Sequence, residues 1–233
     1  MKIISINITG INAGIKEGLK DFIHEERPDV ICLQDIRTGN DILMPNYEGY
    51  FSKQVGGRYN GTATYSLKKA INFDDEIKID EIDNEGRFQF FEFEKFNLIN
   101  IHAPYGEDMR KKIAFFQSLF EFISKKEKEN MIICGDFKIA HKNIDISDKY
   151  DGLGFSQQER KILDKLEEIG FIDCFRELNP NSKEYTWDSR KNSFRFEYIF
   201  INTALRDKLK KASIIENESF RDKRAVFIEL NDL

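Results

Sequence analysis

Four prolines, three cysteines and a single tryptophan in 233 residues leave several architectures without material. Cys32, Cys134 and Cys174 lie far apart with no CxxC pair, so neither a disulfide framework nor a cysteine-based zinc cluster is suggested, and a reducing compartment fits best. No apolar run approaches the length of a membrane span. The opening MKIISINITGI lacks both the length and the small-residue cleavage site of a signal peptide. A soluble cytoplasmic protein without membrane association is therefore expected. No Pro/Gly/Ser-rich linker or low-complexity tract divides the chain, so one domain spanning 1–233 is preferred, although length alone also permits two small ones. Excess positive charge is missing too: 36 basic against 41 acidic residues give −5, so any contact with nucleic acid must use a local patch.

What the chain does have is core. Hydrophobic residues make up 40% and phenylalanine alone numbers 21, which argues against disorder. Strand-like runs rich in β-branched and aromatic residues occur at KIISINI, DVICLQD, TATYSL, RFQFFEFE, FNLINIHA, NMIICGDF, FRFEYIFI and AVFIEL. Helical patterns fall between them at 14–26, 108–128, 156–169 and 203–210. The third opens with Ser156 followed three residues later by Glu159, a capping box, and ends at Gly170, a C-cap. Two segments echo each other: RPDVICLQD and ENMIICGDF are both apolar strands ending in an acidic residue. The pattern predicts two related βα halves whose carboxylates meet between two sheets packed face to face, with helices outside.

The polar residues at strand ends are Asn7, Gln34 with Asp35, His102, Asp136 with Lys138, Glu197, and Asp222 with Lys223. Any one carboxylate at such a position reads most simply as a solvated turn residue. Several together suit a hard cation: Mg²⁺ or Mn²⁺ is held by one or two carboxylates, waters and a substrate phosphate, and Asp35, Asp136, Glu197 and Asp222 are ligands of that kind. Spacing does not show that they converge.

Over nearly the whole chain these stretches resemble the exonuclease III family of apurinic/apyrimidinic endonucleases, within the endonuclease/exonuclease/phosphatase superfamily. KIISINITGINAGI is similar to the family opening, RPDVICLQDIRT to its metal-binding segment, and NEGRFQFFEFEKFNLINIHAPYG, GDFKIAHKNIDI and FRFEYIFI follow in the family's order. The run from GFSQQER to YTW resembles the exonuclease III branch in particular. The resemblance implies a four-layer α/β sandwich with one metal-dependent phosphodiesterase site. It also implies that Asn7, Asp136 and Asp222 stand where the family has an asparagine, the water-activating aspartate, and the aspartate that orients a histidine.

Five positions depart from the family. Asp35 stands at the metal-ligating glutamate with a shorter arm, His102 at the active-site tyrosine, and Glu197 at an aspartate. His102 reads equally as a hydrogen-bond donor to phosphate or as a half-buried strand residue. Lys138 replaces the asparagine that helps bind the scissile phosphate, and Lys223 replaces the aspartate-supported histidine. A lysine beside Asp136 competes with a divalent ion for the same carboxylates, since two cations about 4 Å apart repel by several kcal/mol even at an effective dielectric near 20. With an ordinary pKa of about 10.4, lysine is also a poorer proton shuttle than imidazole near neutral pH. If both lysines face inward, their ammonium groups relieve the repulsion among the carboxylates without a metal.

Arg190, Lys191, Arg195, Arg221, Lys223 and Arg224 cluster near the C-terminus, and VGGRYNG supplies Arg58, Tyr59 and Asn60, in loops that the resemblance places at the DNA-facing end. Contact with duplex phosphates, and stacking by Tyr59 and Trp187, follow if this patch is real; otherwise Trp187 is core and the charges are solvated. The leading expectation is a monomeric, catalytically impaired family member that binds DNA at abasic or end structures, or serves as a protein-interaction module. The alternative is an active divergent endonuclease and 3′–5′ exonuclease using Mg²⁺ or Mn²⁺, and a minor one is a phosphatase on a small phosphate ester.

Overall fold

The sequences KIISIN, VICLQ and MIICGD barely alternate between apolar and polar, and the reason is that both faces of each strand are covered. The computed structural model describes residues 1–57, 59–105, 109–150, 155–217, 220 and 222–233. A first sheet of six strands runs in the order β13 (Leu209–Ile215), β14 (Ala225–Leu230), β1 (Lys2–Asn7), β2 (Val30–Gln34), β4 (Thr62–Ser66), β3 (Glu48–Ser52). A second runs β5 (Asn72–Asp74), β6 (Phe88–Glu92), β7 (Asn97–His102), β8 (Met131–Asp136), β12 (Glu197–Asn202), β9 (Phe171–Asp173). A short hairpin of β10 (Trp187–Asp188) and β11 (Ser193–Phe194) stands apart.

Three apolar layers separate four structural ones. Ile3, Val30 and Cys32 of the first sheet meet Leu98, Ile132, Cys134 and Ile199 of the second. Helices α1 (Ile11–Lys16) and α2 (Leu19–Glu26) cover the outer face of the first sheet through Ile11, Leu19 and Phe22. Helices α4 (Met109–Ser124) and α5 (Gln157–Glu168) cover the second through Phe115, Phe116, Leu119, Leu163 and Leu166. Short helices α3 (Asp80–Asp83) and α6 (Cys174–Leu178) and two 3₁₀ helices, Asn143–Asp145 and Thr203–Lys208, complete the described elements. No helix among the described residues is long and apolar enough to cross a membrane. The predicted sandwich of two mixed sheets with helices outside is the fold observed.

The central pairs β1–β2 and β7–β8 are parallel, so Asn7 lies beside Gln34 and His102 beside Asp136 at the carboxyl ends of the strands. Gly135 makes this register possible: at φ +136° its backbone lies so close to Ile101 that an added Cβ would fall 2.0 Å from the Ile101 carbonyl oxygen. Between the sheets a belt of polar side chains replaces apolar packing. Gln34 Nε2 donates to Asn100 Oδ1 at 2.8 Å, Asn100 Nδ2 to Thr64 Oγ1 at 3.1 Å, and Thr64 Oγ1 to Gln89 Oε1 at 2.8 Å.

Some boundaries differ from the sequence reading. The helix expected over 14–26 is two helices, α1 and α2, because Gly18 at φ +107° breaks the run between them. The segment 203–210 forms a 3₁₀ helix, Thr203–Lys208, before entering β13. Ser156 and Glu159 do form the capping box of α5. The expected start of α4 at residue 108 lies outside the described residues.

Candidate active site

Strand ends from both sheets converge on Asp136, which is fully buried. Asn7 reaches across from the first sheet and donates from Nδ2 to Asp136 Oδ2 at 2.7 Å. His102 and Glu197 are its cross-strand partners on either side, in β7 and β12. Beyond Asp136 the chain turns sharply: Lys138 has φ +55°, and its amide donates to Asp136 Oδ1 at 3.1 Å. That turn folds the Lys138 side chain back so that Nζ sits 2.5 Å from Asp136 Oδ2. Lys138, whose direction the sequence leaves open, therefore points into the site, with its side chain only 15% exposed.

The charges set one another's protonation. Burial pushes the Asp136 carboxyl up, but the cations around it, led by Lys138, outweigh this and hold it well below the usual carboxylate range. Burial also pulls the Lys138 ammonium down, yet Asp136 and Glu197 attract it more strongly and its pKa is raised. Glu197 lacks such a direct partner. Burial and the neighbouring Asp136 charge push it up to about 7, against partial relief from Lys223, Lys138 and a hydrogen bond from Thr186 Oγ1 to Oε2. Its Oε1 is buried and unpartnered, as is Nδ1 of His102. Burial, then Lys138 and Arg87, hold the His102 imidazole well below its ordinary value, so it is neutral at pH 7. His102 is thus a buried residue, 4% exposed, rather than a half-buried one.

At the other carboxyl end, Asp35 is paired with Arg37, which sequence reasoning missed. Arg37 Nε and Nη2 donate to the two Asp35 oxygens at 2.8 and 2.7 Å. Asp222 accepts from Trp187 Nε1 at 2.6 Å, and Trp187 stacks on Phe194 at 5.6 Å in the hairpin, so the indole is half-buried packing. Lys223 bridges to Trp187 along the backbone. Asn7, Thr9, Asp35, Arg37, Lys138, Asp222 and Lys223 line one cleft of about 300 Å³.

The proposed DNA-facing residues divide. Arg190 and Lys191 are exposed at the tip of the β10–β11 hairpin, and Tyr59 is 77% exposed. Asn60 is tied to Arg87, whose Nη2 donates to Asn60 Oδ1 at 2.9 Å while Nη1 donates to the His102 carbonyl at 3.1 Å. Arg195 corrects the sequence reading: it is fully buried, donating to Asp145 at 2.8 Å and Asp173 at 2.6 Å and lying 4.2 Å over the Tyr198 ring, so it faces the interior and no phosphate. Arg224 is engaged by Asp188 at 3.2 Å and Glu216 at 2.7 Å. Arg58 and Arg221 lie outside the described residues.

Residues 11–214 match the Endonuclease/Exonuclease/phosphatase family. An exodeoxyribonuclease of Bacillus subtilis is 30% identical over 92% of this chain and 93% of its own length. The DNA repair nuclease APEX1 of Danio rerio is 30% identical over 88% of this chain and 74% of its own. An AP endonuclease structure from Archaeoglobus fulgidus superposes with a TM-score of 0.87 at 20% identity, covering 99% of both chains. The chain belongs to the endonuclease/exonuclease/phosphatase family, in its exonuclease III branch.

Nucleases of this family typically use Mg²⁺ or Mn²⁺. The carboxylates here, as arranged, do not fit a divalent ion. Arg37 occupies both oxygens of Asp35, Asn7 and Lys138 share Asp136 Oδ2, and Thr186 holds Glu197 Oε2. Glu197 Oε1 lacks a partner, but its carboxyl is partly protonated near neutral pH. A separate set, His141, Asp164 and Glu167, has ligand atoms within 4.8 Å of one another but does not line the cleft. His141 Nε2 pairs with Asp164 at 2.8 Å, and Lys142 with Glu167 at 3.2 Å.

Proposed function

We propose that this protein binds DNA at abasic sites or strand ends, and that its phosphodiesterase chemistry is impaired because Lys138 supplies the charge that a metal ion would otherwise bring. One observation carries the reading: the Lys138 ammonium is 2.5 Å from a fully buried Asp136. A carboxylate held in that pair is a weak acceptor for a proton from water, and Lys138 repels a second cation from the same oxygens. Around it, Asn7 fixes the carboxylate's orientation, neutral His102 lies beside it at the end of β7, and Lys223 adds positive charge to the cleft.

DNA as the partner is supported by the relatives, an exodeoxyribonuclease and a repair nuclease, and by a Neisseria neighbour, TM-score 0.88 at 23% identity, whose structure was determined bound to a product DNA hairpin. Arg190, Lys191 and Tyr59 stand exposed as groups that would meet the backbone and an unstacked base. Such binding is not sequence-specific and weakens with salt. The second reading, an active divergent endonuclease, draws on the retained Asn7–Asp136 contact.

The test is incision of an end-labelled duplex carrying one abasic site, in Mg²⁺, Mn²⁺ or EDTA, beside Asp136→Asn. The expected result is binding without appreciable incision by the wild type, with metal-dependent cleavage rising at least about 100-fold in Lys138→Asn/Lys223→His. Metal-dependent incision by the wild type that disappears in Asp136→Asn would instead establish the second reading.

A further inference from the structure

Lys112 is an unlikely residue for its place. It lies on the inner face of α4 with no exposed surface, among Phe115, Phe116 and Leu119, where a methionine or leucine would fill the same space without desolvating a charge. Its ammonium has two acceptors, and neither belongs to its own helix. Nζ donates to Glu159 Oε1 at 2.9 Å and to the main-chain carbonyl of Lys138 at 3.0 Å. Glu159 is itself fixed through its other oxygen, which accepts from the amide and hydroxyl of Ser156 at 3.0 and 2.9 Å in the α5 cap.

The contact falls on the residue whose backbone needs support. Lys138 has a side chain yet sits at φ +55°, a conformation that glycine or asparagine adopts more readily. A non-glycine residue remains there only if its surroundings hold it. From one side Asp136 Oδ1 takes the Lys138 amide, and from the other Lys112 takes the Lys138 carbonyl. Together they fix both peptide groups flanking the Lys138 Cα, and hence the direction of its side chain.

We infer that Lys112 is a positioning residue: anchored through Glu159 to the cap of α5, it holds the bend at Lys138 so that the Lys138 ammonium lies on Asp136. This rests on the reading of Lys138 as the cleft's resident cation. It adds that the state of the site is set from the helical layer behind the second sheet, through the chain Ser156, Glu159, Lys112 and Lys138.

The test reads the Lys138 ammonium directly in ¹H–¹⁵N spectra of lysine Nζ groups, its signal assigned by loss in Lys138→Met. In the wild type the paired ammonium is expected to exchange slowly with solvent. Lys112→Met is expected to speed that exchange roughly tenfold, and Ser156→Ala, which loosens Glu159 at the helix cap, to speed it less. An unchanged Lys138 signal in folded Lys112→Met, or in Ser156→Ala if the first variant does not fold, would overturn the inference. Mn²⁺ binding followed by electron paramagnetic resonance judges the underlying reading separately. Lys138→Met should bind Mn²⁺ at least roughly tenfold more tightly than the wild type, and no gain would refute Lys138 as the resident cation whatever the exchange data say about Lys112.

Discussion

The ends of β2 and β8 use the same local device at two depths. Asp35-Ile36-Arg37 and Asp136-Phe137-Lys138 each place a carboxylate at the strand end and a cation two residues on, and in each the cation has a left-handed backbone, φ +47° and +55°, and pairs with the carboxylate before it. Arg37 keeps 44% of its side chain exposed, whereas Lys138 keeps 15% and its partner none. The outer pair is half in water, since Arg37 reaches solvent although Asp35 keeps only 9% exposure, whereas the inner pair has almost no water to exchange for, so it governs the charge state of the cleft while the outer pair trims its rim.

Replacing the two cations breaks the comparison most sharply. Lys138→Met strands Asp136 in the interior and should cost about 3 kcal/mol of unfolding free energy in urea titrations with EDTA, with part of the loss restored by Mn²⁺. A comparable change is expected from pH, through the two residues flanking Asp136. Glu197 titrates in the fold near 7, above its ordinary 4.5, so its contribution is fully present below about pH 4.5 and is lost as pH rises through 7. His102 works in the opposite sense. Its folded pKa is depressed below 6.5, so its contribution is present above that value and is lost as pH falls through the folded pKa. Measured against Glu197→Gln, the wild type should therefore lose on the order of 3 kcal/mol between pH 4.5 and 7. Measured against His102→Asn, it should gain stability as pH rises toward about 6.5 and change little above that. The smallest effect belongs to the outer pair: Arg37→Met should cost about 1–2 kcal/mol in the same titrations, because Asp35 lines the open cleft where water can take over, and a loss equal to that of Lys138→Met would erase the distinction between them.

The buried strands were legible because their apolar runs are dense, and so was the meeting of two acidic strand ends. The edge strands were not. Glu48–Ser52 and Leu209–Ile215 carry glutamate, glycine and lysine on exposed faces, and hydrogen bonding to a neighbour decides their conformation more than composition does. Within the site, Lys138 is legible from its position two residues after Asp136, and Arg37, at the same spacing after Asp35, carries the same signal in the matching segment. Arg195 was misread as surface for a different reason. Its burial depends on Asp145 and Asp173, which lie 50 and 22 residues away in sequence, and no local pattern announces a partner at that distance.

The polar belt between the sheets has a mechanical consequence. An apolar interface tolerates sliding, because one methyl contact replaces another, but Gln34, Asn100, Thr64 and Gln89 hydrogen-bond in a single alignment, and a shift of either sheet would leave buried amides without partners. The two strand ends that make the cleft are thereby bolted at a fixed separation. Any adaptation of the site then falls to the peripheral loops, around a cleft floor that acts as a rigid gauge.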